Sequence, residues 1–131
     1  MIPLWKLKRE LSRLSQQLRA IPEAFWEPRA QRRHEAAFAA GFPTIQGAFP
    51  LGPKIAVLLC WQPDGMAASI FATCRHLIEE GYTPFLVSNA PVSAEDRERL
   101  VPLVWRLLER PDFGYDFGGY RDAIKTLWAA Q

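Results

Sequence analysis

The sequence is poor in the residues that build covalent or metal scaffolds. It has two cysteines, Cys60 and Cys74, and two histidines, His34 and His76, in 131 residues. Two cysteines make neither a disulfide framework nor a four-ligand zinc site. Both fall in apolar or helical patterns, so free thiols in a reducing compartment are expected. His76 sits on an expected helix near Glu79 and Glu80, far in sequence from His34, which makes a poor metal site and a good helix-surface or core residue. No serine, threonine or cysteine stands beside a histidine in a way that suggests a covalent nucleophile. No apolar run approaches the roughly 20 residues of a membrane span. The opening run, MIPLWKLKRELSR, turns polar at once and lacks a signal-peptide core. A cytoplasmic protein is therefore expected, with room for peripheral attachment at the inner face of the plasma membrane. There is no Walker lysine motif, and no G-x-G-x-x-G follows an expected strand. Asp116-Phe117-Gly118 copies a kinase tripeptide, but without a phosphate-covering glycine loop upstream or a catalytic-loop signature.

What is present suits an ordinary globular domain. Apolar residues make up 49% of the chain and charged residues 23%, which excludes wholesale disorder. A chain of this length buries about two thirds of its unfolded surface. The net charge of +2 hides an asymmetry. Residues 1–34 hold eight basic side chains against three acidic, and residues 35–131 hold eight against eleven. A basic amino-terminal segment on a mildly acidic body suggests an anionic partner for that segment alone, or else a solvated basic helix face. A nucleic-acid partner is not expected.

Leu4, Leu7, Leu11, Leu14, Leu18 and Ile21 recur at spacings of three and four. That places one apolar stripe along a helix of about five turns. Pro3 suits the first turn, and Pro22 is expected to end or kink the run. The stripe can pack on the body, on a partner helix or on a membrane surface. Core packing is the default, and Trp5 and Trp26 near its ends fit a membrane surface weakly. A second helix is predicted from Glu23 to Ala40, broken near Pro28 and ended by Gly41. Residues 41–53 hold three prolines and three glycines and are predicted to be a linker.

After the linker the pattern alternates strand and helix. Ile55 to Trp61, behind Lys54, is an unbroken apolar run, predicted as a strand covered on both faces and lying centrally. Met66–Glu80 is predicted as a helix ended by Gly81, and Thr83–Ser88 as a second strand. Ser93 is a plausible N-cap for a short helix that Pro102 stops, with Glu95 and Asp96 favouring its positive end. Leu103–Glu109 follows as a third strand, with helix as the rival assignment. Gly118 and Gly119 precede a last helix from Tyr120 to Ala130. This alternation predicts a parallel sheet with helical crossovers, in which ligands sit beyond the carboxyl ends of the strands.

The loops at that rim hold the candidate chemistry. They are Gln62–Gly65, Ser88-Asn89, and the run from Arg110 to Asp122. In the last, Gly114, Gly118 and Gly119 permit tight turns and close backbone approach to a ligand. The helix that follows points its free N–H groups at the same space. Arg110 and Arg121 suit phosphate oxygens, and Asp116 suits a ribose hydroxyl or a base N–H. The plainer alternative is a glycine-rich turn whose aspartates cap the helix.

The run Lys54 to Gly65, the strand ending at Ser88-Asn89, and Arg110-x-Asp-x-Gly-Tyr-Asp-Phe-Gly-Gly-Tyr-Arg-Asp122 together resemble the rhamnan synthesis protein F family over roughly residues 54–128. These are glycosyltransferases of bacterial cell-wall, capsule and O-antigen polysaccharides. The shared pattern is Arg-x-Asn-x-Gly-x-Asp-x-Gly. It is matched at Arg110, Gly114, Asp116 and Gly118, with Asp112 where the family usually has asparagine. The resemblance implies a Rossmann-like, GT-A-like three-layer domain with about three parallel strands present, preceded by the helical arm. It implies a nucleotide-sugar donor, a glycan or lipid-linked acceptor, rhamnosyl or related transfer, and a site formed by Asp64, Asn89, Arg110, Asp112, Gly114, Asp116, Gly118 and Arg121. The family's divalent metal, Mg or Mn, sits on an acidic motif after a fourth strand that this sequence does not reach. The expectation is thus an incomplete, amino-terminal part of such an enzyme, inactive and metal-free by itself, whose first strand is left as an open apolar edge. The alternative is a non-catalytic nucleotide-binding or scaffold module docking through its amino-terminal helices.

Overall fold

The computed structural model describes residues 3–113 and 115–130, with side chains at all of these except 19–27, 115 and 116. Among the described residues the protein is α/β, with an open, mixed, four-stranded sheet and five helices, one of them a short 3-10 turn. The chain divides into two compact units, 1–39 and 40–131.

The first unit is carried by one helix, α1 (Leu4–Ala40). The two helices predicted from the sequence are therefore one. Pro22 and Pro28 each remove a backbone donor, but the Ala, Leu, Arg, Gln and Glu around them are strong helix formers and the run continues. Within this unit its leucines lie on the helix surface. Leu7, Leu11, Leu14 and Leu18 are each more than half exposed, and Leu4 more so. Glu10 pairs with Arg9 at 3.6 Å and with Arg13 at 3.5 Å, and Lys6 and Arg9 both lie over the Trp5 ring at 5.5 Å.

The second unit holds β1 (Thr44–Gln46), β2 (Ile55–Cys60), α2 (Ala68–Glu79), β3 (Thr83–Ser88), α3 (Ala94–Leu100), β4 (Arg106–Glu109) and α4 (Tyr115–Ala129). The sheet order is β1-β4-β3-β2. The last three strands are parallel, with Val57 beside Phe85 and Leu86 beside Leu107. Helices separate them in the chain, as the alternating pattern requires. Ser93 caps α3 through its Oγ, which accepts from the Asp96 amide at 3.2 Å.

Four departures from the sequence reading have physical causes. The segment 41–53 is not a free linker. Its β1 pairs antiparallel with β4, and the amides of Gly47, Ala48 and Phe49 donate to the carbonyls of Trp105, Val101 and Val104. An extended, proline-bearing chain supplies the partners that the outer edge of β4 would otherwise lack. The third parallel strand is shorter than Leu103–Glu109, because Val101–Leu103 forms a 3-10 turn with Pro102 inside it. The strand Ile55–Cys60 is the open edge expected of it among the described residues, but it is only half-buried up to Leu59 rather than covered on both faces, and the fully buried strand is β3. Finally, α4 begins at Tyr115, ahead of the expected Tyr120, so Gly118 and Gly119 lie inside it.

Strand alternation divides the core between the two faces of the sheet. Cys60, Leu86 and Leu107 face Phe71 and Cys74 of α2, Leu100 of α3, Val92 and Val104. Phe85, Val87 and Leu108 face Trp105 and Ala123 of α4. The Phe85 and Trp105 rings meet edge to face at 5.3 Å. The result is three layers, with α2 and α3 on one side and α4 on the other.

Candidate functional site

Three loops gather at the carboxyl edge of the parallel strands: 61–67 after β2, 89–93 after β3 and 110–113 after β4. Backbone pairing carries one residue past the strands. The Asn89 amide donates to the Cys60 carbonyl and the Arg110 amide to the Ser88 carbonyl, each at 2.9 Å. The loops therefore leave the sheet side by side.

β4 ends in two adjacent charged residues, and the pleat sends them to opposite faces. Glu109 is buried toward α3. Its Oε1 accepts from Arg97 Nε and its Oε2 from Arg97 Nη2, each at 2.9 Å. Oε1 also accepts from the Val92 amide at 3.3 Å. Arg110 turns toward α4, and its side chain has no exposed surface. Nε donates to Asp122 Oδ2 at 2.8 Å, Nη1 donates to Asn89 Oδ1 at 2.6 Å, and Nη2 donates to the Phe113 carbonyl. Asp122, on α4, is itself 2% exposed. A third tie holds the first loop. Asp96 Oδ2 accepts from the Met66 amide at 3.0 Å, and Gln62 Oε1 accepts from the Ala67 amide at 3.2 Å. Buried charges must be paired and hydrogen-bonded to be tolerated. Here the pairing fixes all three loops and α4 relative to the sheet.

The glycines of the motif serve the same packing. A Cβ on Gly118 would lie 2.5 Å from the Phe113 carbonyl oxygen, and one on Gly119 would lie 2.4 Å from Leu59 Cδ1. The loop after β4 wraps over the first turns of α4, and α4 lies close on β2, because neither position carries a side chain.

The sequence-derived site residues divide accordingly. Asn89 and Arg110 are brought together, but their contact is with each other. The guanidinium read as a phosphate fork is a buried brace, since its bonds run to Asp122, Asn89 and Phe113 and it presents no surface to an anion. Gly118 is a packing glycine. Asp64, Asp112 and Arg121 are exposed, Asp64 on the first loop, Asp112 on the third and Arg121 on α4. Gly114 and the side chain of Asp116 lie outside the described residues. Asp122, Glu109 and Arg97 are not picked out as site residues by the sequence, and Asp96 only as a charge favouring the start of α3. The available signal was the Glu109-Arg110 pair closing an apolar strand, where charge is buried only with partners.

The thiols are inert by position. Burial pushes Cys60 up, partly eased by its hydrogen bond with Ser88. Burial, with Cys60 nearby, pushes Cys74 up to about 11. Neither suits a nucleophile, which needs a thiolate. Among the described residues no group of three or more His, Cys, Asp or Glu could hold a metal ion. No described helix is long and apolar enough to cross a membrane.

No family model matches the chain, and no solved structure matches it. The chain is 37% identical over 128 residues to y4gN, an uncharacterized protein of Sinorhizobium fredii (strain NBRC 101917 / NGR234). That alignment takes in 97% of this chain and 33% of the relative. The chain thus spans about a third of the length of that curated relative.

Proposed function

We propose that the second unit is the nucleotide-binding half of a Rossmann-like, GT-A-like glycosyltransferase, using a nucleotide-sugar donor in bacterial cell-surface polysaccharide synthesis. The observation that carries this reading is the knot at Arg110. It joins the loops after two adjacent parallel strands to the middle of α4, at the sheet edge where α/β folds bind ligands. The resemblance of the Arg110–Asp122 run to the rhamnan synthesis protein F pattern points the same way. It assigns a nucleoside diphosphate to that edge.

In this reading Arg110 is a positioning residue. It holds the 110–113 loop and the first turns of α4, whose free amides receive phosphate oxygens. Asp116 accepts from a ribose hydroxyl or base N–H. Asp64 and Asp112 line the same rim, with Asn89 buried behind it against Arg110. The negative charge that grows on a departing nucleoside diphosphate needs donors. Arg121 and the helix amides are the groups this chain offers. The divalent metal that the resemblance implies would sit on an acidic motif after a further strand, outside the groups named here.

A second reading, a nucleotide-binding or scaffold module without catalysis, draws support from the exposed leucine stripe of α1. It shares the binding but involves no sugar transfer.

Calorimetric titration of the chain with UDP, dTDP and GDP tests the shared claim. At least one nucleoside diphosphate binds, and Asp116→Ala weakens that binding by about 1–3 kcal/mol, the usual effect of losing a hydrogen bond to a charged group. Equal affinity of the two proteins, or no binding by either, removes the assignment.

A further inference from the structure

We infer that the free edge of β2 is the surface on which two copies of this chain join, strand to strand, into one continuous sheet. Among the described residues the sheet has two edges, β1 and β2. β1 is guarded as natural edges are, being very short and set between Pro43 and Gly47. β2 runs Ile-Ala-Val-Leu-Leu-Cys with no charge, proline or glycine to blunt it. The Lys54 and Cys60 carbonyls accept from the Thr83 and Asn89 amides, so the even-numbered residues of β2 bond to β3 in the parallel ladder. The N–H and C=O groups of Ile55, Val57 and Leu59 therefore point out of the edge, with no strand partner among the described residues. A helix or a lipid surface laid over such a row removes its water and leaves it unpaired, which is costly. Another strand is the partner that satisfies it.

Two features make β2 its own partner. The first is parity. With a twofold axis at Val57, antiparallel copies place Val57 beside its own counterpart and Ile55 beside the counterpart of Leu59. Each such pair exchanges both backbone bonds, so every outward group of Ile55, Val57 and Leu59 is used, and a slip of one residue would use none of them. The second is α4. Gly119 meets Leu59 of β2, and Ala123 and Leu127 pack on the sheet face that holds Phe85, Val87 and Leu108. Asp122, one step back from Ala123, reaches Arg110 at the end of β4. At about 100° per residue, Tyr120, Ile124 and Trp128 lie on the opposite flank, turned away from β4 and over the free edge of β2. All three are exposed. In a twofold pair both α4 helices lie on the same face of the joined sheet, and these apolar flanks face each other across the axis. One symmetric contact, the same patch on both copies, thus pairs the edge and covers the flank.

Sedimentation equilibrium of the 131-residue chain at high micromolar concentration, with amide hydrogen exchange on the same sample, tests this. The expected mass is twice 14.9 kDa, in low and high salt alike, because the joint is made of backbone bonds and apolar side chains. The amides of Ile55, Val57 and Leu59 are protected at that concentration and exchange fast on dilution to the monomer. Those of Ala56 and Leu58, bonded to β3, stay protected at both. Val57→Pro removes the central outward donor, on the side of an edge strand where proline is tolerated, and returns the chain to a monomer. Ile124→Glu with Trp128→Glu does the same from the flank of α4. Glutamate is a good helix former, so the far-ultraviolet circular dichroism of this variant still reports a folded α/β protein. A monomeric unsubstituted chain overturns the proposal and leaves the edge to a strand of another polypeptide. A dimer whose Ile55, Val57 and Leu59 amides exchange fast, or one that survives both variants, places association elsewhere, α1 included, and this too overturns it.

Discussion

Arg110 shows how far a side chain's role depends on where its strand ends. As a letter in a glycine-rich run it looks like an anion ligand. In the fold it has no exposed surface and three protein partners. Removing one member of a buried ion pair leaves the other uncompensated, at about 3–5 kcal/mol. Arg110→Ala is expected to lower the unfolding free energy by that amount in urea titration. Replacing both partners by apolar residues, Arg110→Met with Asp122→Leu, recovers a large part of it. A loss below about 1 kcal/mol for Arg110→Ala contradicts the brace. The thiols give a second prediction at this scale. Cys74 titrates near 11 in the folded chain, against an ordinary value of 9.0. As pH rises through about 9, the unfolded chain releases this proton while the folded chain keeps it, so stability falls between about pH 9 and 11. Cys74→Ala flattens that decline in denaturation curves, and an unchanged slope assigns the pH dependence to other groups.

At the scale of elements, the sequence revealed most where periodicity was long and least where pairing was distant. The three parallel strands and their helices were legible because apolar runs and amphipathic spacing are local signals. The short α3 was legible because Ser93 is a local cap. The strand at Thr44–Gln46 was hidden, since three residues among prolines and glycines become a strand only when β4 lies beside them. Gly118 and Gly119 read as helix breakers, and only the nearness of Phe113 and Leu59 shows why a helix keeps them. At the site, the sequence picked out the right loops but not their internal wiring, because Asp122 and Arg97 become partners of β4 only through the crossovers. The β1–β4 pairing makes its own prediction. A Cβ on Gly47 would lie 1.7 Å from the Val104 carbonyl oxygen, a backbone atom that cannot step aside. In hydrogen exchange, the amides of Gly47 and Glu109, which donate to Trp105 and Pro43, are protected in the native chain. Gly47→Ala removes that protection while β3 stays protected. Fast exchange at both amides in the unsubstituted chain would show the segment to be the free linker its composition suggests.

At the scale of the whole molecule, the chain combines a helix whose leucines face water with an α/β body whose loops are tied at one edge of a parallel sheet. The tied edge is the basis of the functional reading, and the chain is 37% identical to a protein of whose length it spans about a third. The most direct test asks where a nucleoside diphosphate touches the body. Backbone amide resonances of the labelled chain are followed as UDP, dTDP or GDP is added. The account predicts saturable shifts confined to residues 61–67, 89–93 and 110–121, with the amides of α2 and β1 unmoved. Shifts centred elsewhere, or none with any of the three nucleotides at millimolar concentration, would contradict it.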